Sequence, residues 1–146
     1  VKLLLNMLVG RSSKLYEELY SRGLINSTFG VDFTIEKEYG FSVMGGESVN
    51  PEAVRERFCR AVEGAKKNGL NHDDYDRILR SMIGRYMRQF NYVELISHSF
   101  ISVYFKGVNL FDYLDVYDTI TFEYVNQVFH EHFDIDNMAL SVIKPI

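Results

Sequence analysis

The apolar residues of this chain change period twice. From Leu3 to Val9 they run almost unbroken and read as a helix end closed by Gly10. Ser12 or Ser13 is placed to cap a second short helix with Leu15, Tyr16 and Leu19 on one face, and Gly23 ends it. Phe29, Val31, Phe33 and Ile35 then alternate with smaller or polar residues, the period of a half-buried strand. Tyr39, Phe41 and Val43 repeat the alternation after Glu36-Lys37-Glu38. Residues 28–36 and 39–45 are therefore expected to pair as an antiparallel hairpin running to Gly45-Gly46.

Helical periods take over at Asn50, a good N-cap followed by Pro51 at the first helical position and Glu52 at the positive end of the dipole. Val54, Phe58, Ala61, Val62 and Ala65 form a stripe that ends near Gly69. Asn71 caps the next helix, with Asp73 and Asp74 in its first turn. Its stripe is Tyr75, Ile78, Leu79, Met82, Ile83, Tyr86, Met87 and Phe90. The inward faces of the hairpin are expected to meet that stripe at Tyr75, Ile78, Met82 and Tyr86. A break is expected near Asn91, before a less regular stretch through Phe100, Ile101 and Tyr104 to Gly107. Shorter helices begin near Asn109 and at Thr121, the latter burying Phe122, Val125, Val128 and Phe129. Residues 137–143 read as a last strand in the hairpin's sheet. About three strands and six helices in this order make an α+β fold, an antiparallel sheet of hairpin plus C-terminal strand packed against several helices. Three strands are few for so many helices. Residues 1–146 thus read as a single domain lacking its first strands.

Composition narrows the functional classes. A chain of 146 residues can bury roughly two thirds of its surface, enough for a real core. Ten Tyr and eleven Phe with no Trp suggest broad amphipathic contact surfaces. A net charge of −4 gives no general attraction to nucleic acid or to anionic membranes. Arg77, Arg80, Arg85 and Arg88 form a solvated helix face rather than a phosphate track. Cys59 is the one cysteine, so no intrachain disulfide forms; this agrees with a reducing compartment, and a cytoplasmic place is expected. Cys59 itself reads as a packed helix thiol. No apolar run approaches the roughly 18 residues of a membrane span. Val1–Val9 resembles a signal peptide only superficially, lacking a small-residue cleavage site, and a chain that opens on Val suggests a truncated or processed start.

Candidate chemistry is sparse. His130-Glu131-His132, with Asp134 and Asp136 behind it, is the strongest metal candidate, but histidines two apart on a helix diverge. Neither His-Glu-x-x-His nor the inverted His-x-x-Glu-His is present, so these residues read as an exposed helix end. His72 and His98 read as surface residues. Gly10-Arg11-Ser12-Ser13-Lys14 lacks the second glycine of a nucleophile elbow, and Gly45-Gly46 lacks a phosphate-loop Lys-Ser/Thr. The residues alone assign no catalytic, metal-binding or cofactor-binding position.

Several local signatures occur in a telling order. They are Leu8-Val9-Gly10-Arg11-Ser12-Ser13-Lys14-Leu15-Tyr16-Glu17-Glu18-Leu19, the corner Gly23-Leu24, the hairpin, Asn50-Pro51-Glu52-Ala53-Val54, Gly69-Leu70, Thr121-Phe122-Glu123-Tyr124-Val125-Asn126 and Ala139 to Pro145. Together the chain resembles the insulinase, pitrilysin and mitochondrial processing peptidase family, specifically the later two thirds of the second half of a bacterial member. Such proteins have two similar halves; the first usually carries the inverted zinc motif and the second closes over the peptide substrate. The resemblance implies a parent that is a zinc-dependent metalloendopeptidase processing or degrading peptides, with zinc in the missing or partner half and no catalysis by this fragment alone. The partner it implies is the N-terminal half of the same chain or a homologous peptidase subunit. Self-association along an uncovered sheet edge is also expected. In some members the second half reaches substrate with an arginine and a tyrosine flanking the glycine-leucine corner. Here the nearest positions are Tyr20 and Asn26, spaced one residue short, with Arg22 as a displaced substitute. The alternative reading is a non-enzymatic structural or peptide-binding subunit of the same fold.

Overall fold

Six of the eight residues of α1 (Lys2–Val9) are buried. A helix that is apolar around its whole circumference has to be surrounded. In the computed structural model, which describes residues 1–105 and 107–144, α1 packs against α2 (Lys14–Ser21), β1 (Gly30–Ile35), α3 (Pro51–Asn68) and α4 (His72–Gln89). It is a central element, closed at Gly10 as expected, and Leu4, Leu5 and Val9 share the deepest core with Leu19, Val62 and Phe129.

The turn out of α1 needs a glycine for space. Gly10 is extended (φ −66°, ψ 161°), but a Cβ there would lie 2.5 Å from the Asn6 carbonyl oxygen. Of the two serines, Ser13 is the cap: the Tyr16 amide donates to its Oγ at 3.1 Å, and the side chain is buried. Gly23, at φ 65°, ends α2 as expected. Its amide donates to the Tyr20 carbonyl and that of Leu24 to the Leu19 carbonyl, both at 3.0 Å, the paired bonds of a Schellman motif.

The antiparallel hairpin forms between β1 and β2 (Gly40–Gly45), with Phe33 opposite Ser42 and Val31 opposite Met44. That register sets the inward residues of β2 as Ser42 and Met44. Phe41 and Val43, expected on the half-buried face, point outward at 47% and 49% exposure, and Tyr39 stacks on Phe41 on the same side at 6.2 Å. The hairpin's inward face packs on α1, and α1 packs on α4. Helix α1 therefore stands where direct contact between hairpin and α4 stripe was expected.

The long helices start as the sequence predicts. The Ala53 amide donates to Asn50 Oδ1 at 3.0 Å and the Asp74 amide to Asn71 Oδ1 at 2.9 Å. Of the α4 stripe, only Tyr75 and Ile78 are fully buried; the second half of the helix runs past the core. The break is real. Amides of Phe90, Asn91 and Tyr92 bond back three residues, and a separate helix α5 (Val93–Tyr104) follows. A 3-10 turn at Leu110–Asp112, α6 (Tyr113–Thr119) and α7 (Phe122–His132) complete the order. The Tyr86 hydroxyl donates to the Leu110 carbonyl and the Tyr75 hydroxyl to the Ile120 carbonyl, tying this region to α4.

The α+β class holds with seven α-helices and one two-stranded sheet among the described residues. The expected last strand does not join that sheet. After a 3-10 turn at Ile135–Asn137 the backbone leaves Met138 extended (φ −100°, ψ 131°), but residues 138–144 have no ladder partner among the described residues. A strand needs a neighbour to exchange bonds with, and these residues do not reach either edge of the hairpin. Pro145 lies outside the described residues. No helix among them is long and apolar enough to cross a membrane.

Candidate functional site

The end of α2 gathers the three residues singled out for substrate contact, although their side chains are engaged differently. Tyr20 is 54% exposed and stacks on Tyr16 with ring centroids 6.1 Å apart. It borders an open groove of about 280 Å³ lined also by Arg11, Ser12 and Glu17. The floor of the groove is pinned. Arg11 Nη2 donates to the Ser27 carbonyl at 3.0 Å, and Arg77 Nη1 donates to Ser12 Oγ at 2.8 Å while pairing with Asp74. Arg22 does not line the groove; its Nε pairs with Glu18 at 3.2 Å, and the same carboxylate takes Arg57 from α3. Asn26 fastens the loop before the hairpin. Its Nδ2 donates to Glu47 at 2.6 Å, and its Oδ1 accepts the Thr28 amide at 2.9 Å. Of the three, Tyr20 is the one whose ring edges an open space; Arg22 and Asn26 would have to give up partners to reach a ligand.

The histidines do not converge. His130 is exposed, whereas His132 turns inward, with its Nε2 2.6 Å from Ser42 Oγ and its ring edge-on to Phe33 at 5.5 Å. Reading both as an exposed helix end thus fails for His132. The signal lies in the spacing, because Val125, Phe129 and His132 fall on one helical face. His72 sits 3.5 Å from Asp76 and against Phe122, away from the other histidines. Among the described residues no three His, Cys, Asp or Glu side chains cluster closely enough to hold a metal ion.

Burial lowers the pKa of His132 below its ordinary 6.5 in the fold. The unfolded chain therefore takes up the proton first, and stability falls as the pH drops through that value. Urea midpoints measured at pH 7.5 and 5.5 should decline toward acid, and His132→Gln should flatten the decline. An unchanged slope in that variant would remove His132 from the account.

This arrangement, a central apolar helix followed by a capped helix and a hairpin, matches a known domain. The family model of the peptidase M16 inactive domain matches residues 1–82, from α1 through most of α4. The chain belongs to the M16 peptidase family. It is 31% identical over 145 residues to YmfH of Bacillus subtilis (strain 168), described as an uncharacterized zinc protease. That alignment covers 99% of this chain and 34% of the relative. A solved structure of a putative M16-like peptidase from Alicyclobacillus acidocaldarius shares the fold, with a TM-score of 0.87 at 22% identity over 92% of this chain and 33% of that one. This M16 chain thus spans about a third of the length of both. The part it matches is the family's inactive domain.

Proposed function

We propose that this M16 domain is the closing, metal-free part of a cytoplasmic zinc peptidase that processes or degrades peptides, with the zinc carried by another half of the same chain or by a homologous subunit. The match to the inactive domain carries this reading. Hydrolysis by this route needs zinc to polarise the carbonyl and activate water, and a carboxylate to move the proton. Such a site takes three converging protein ligands with one open position. The four histidines of this chain are dispersed over α4, α5 and α7, which is why the reading places the metal elsewhere. What the domain adds is a wall, and Tyr20 at the edge of its groove is the residue best placed to touch a peptide.

The test is reconstitution. The chain alone should retain no stoichiometric zinc after dialysis and cleave no peptide, and zinc-dependent cleavage should appear when a metal-bearing half is supplied. His130→Ala should then leave the rate within about twofold, since it adds no ligand to the metal. Zinc-dependent cleavage by the chain alone, lost in His130→Ala, would overturn the reading.

A second reading, a peptide-binding subunit, draws on the hairpin. Two strands leave both outer edges unpaired among the described residues, and an extended peptide can add to such an edge. The same edges also suit missing strands of this domain or a second copy. Binding of extended peptides by the chain alone, without any gain of cleavage on adding a metal-bearing half, would favour this second reading.

A further inference from the structure

We propose that the outward face of α5 is the permanent seat of another domain of the same peptidase chain. The proposal rests on reading these residues as one part of a longer M16 peptidase. Val93, Ser97, Phe100, Ile101 and Tyr104 follow the spacing i, i+4, i+7, i+8, i+11. At about 3.6 residues per turn this places them on one stripe roughly 100° wide, the way a helix addresses a core. In α5 the stripe faces away from the domain. The half-buried positions are Ile96, Ser99 and Val103 on the other side, while Val93, Ile101 and Tyr104 are 77%, 54% and 63% exposed. No residue of α5 is fully buried.

Two further observations fix the kind of occupant. Phe100 stacks on Tyr104 at 5.7 Å, and Tyr104 meets Phe105 at 5.9 Å, so the aromatic surface is assembled on the helix itself. Glu94 is the one charged residue from Val93 to Phe105. Interface cores are depleted of charge and rich in aromatics, and permanent contacts are the most apolar. A contiguous apolar face of this kind is unusual on a free domain. Length then favours a neighbour in cis. Nearly all of this chain aligns with only 34% of the Bacillus relative and 33% of the Alicyclobacillus structure, so a chain of that size has ample further polypeptide to cover α5.

The experiment uses the chain at its full encoded length in a Cys59→Ser background. Ile101→Cys should react with a water-soluble maleimide at least about tenfold more slowly than Lys67→Cys on the exposed side of α3, because a covered site labels only when it opens. A photo-crosslinking aromatic at position 104 should capture a segment of the same polypeptide outside residues 1–146, distinguished from a second copy by mixing isotope-labelled and unlabelled protein. Equal labelling rates would overturn the proposal, and so would a crosslink to another copy or to residues within 1–146. Neither readout needs zinc or hydrolysis. A protected α5 in a chain that cleaves no peptide would sink the peptidase reading and leave this one standing.

Discussion

Phe129→Ala is expected to cost about 3–5 kcal/mol, much of the stability a domain of this size has to lose. Phe129 is 1% exposed on α7, with its ring 5.6 Å from Phe133, which in turn packs on Phe58 of α3 at 6.2 Å. It belongs to the same core cluster as Leu4, Leu5 and Val9 of α1. Truncation removes the transfer energy of the ring and leaves a cavity in the core cluster to which α7 contributes. Urea or thermal unfolding of wild type and variant measures the loss. Tyr124→Ala, on the exposed side of the same helix at 56%, should change stability by less than about 0.5 kcal/mol. Similar losses at the two positions would mean that α7 is not seated as described.

A second large effect is expected at Gly10, with a change of sign elsewhere. An alanine there places a Cβ 2.5 Å from the Asn6 carbonyl oxygen and 2.7 Å from Asn6 Cα. These are backbone atoms in the last turn of the central helix, so relief requires moving α1 or the turn that delivers Ser13 to its capping position. Gly10→Ala should destabilise by about 1–3 kcal/mol. At Gly84, inside α4, an added Cβ would meet no atom within 4 Å, and Gly84→Ala should stabilise by about 0.5–1 kcal/mol through helix propensity. Denaturation midpoints moving in opposite directions would support both arguments. A neutral Gly10→Ala would show that the close approach is not needed.

The features legible in the sequence are the ones decided within a few residues. Ser13, Asn50, Asn71 and Thr121 cap helices because each side-chain oxygen meets an amide three residues on, and that spacing is visible in the chain. Gly23 and Gly69 end helices at positive φ for the same local reason. What stays open in the sequence depends on neighbours. The run Leu3-Leu4-Leu5 shows that α1 is apolar, but not that four other elements wrap it. Alternation in β2 is symmetric between faces until the partner register is known, so Phe41 and Val43, expected inward, face out. Residues 138–144 have strand-like composition, yet a strand is a relation between two segments. The same limit applies at the candidate site. Family resemblance points to the corner after α2 and picks out Tyr20, Arg22 and Asn26, but only the folded chain reveals that Glu18 and Glu47 already hold two of them.

The central position of α1 also bears on the order in which the domain is made. Its apolar residues leave the ribosome before the elements that cover them, and Phe129 and Phe133, which complete their surroundings, come more than a hundred residues later. At roughly 5–20 residues per second, synthesis from Val9 to Phe133 lasts on the order of 6–25 s. Through that interval α2, the hairpin, α3 and α4 arrive, in that order, to shelter Leu3, Leu4, Leu5 and Leu8. A nascent chain whose central helix emerges ahead of its cover is a natural client for chaperones that hold apolar segments, and a pause before α2 would leave that helix with the least cover.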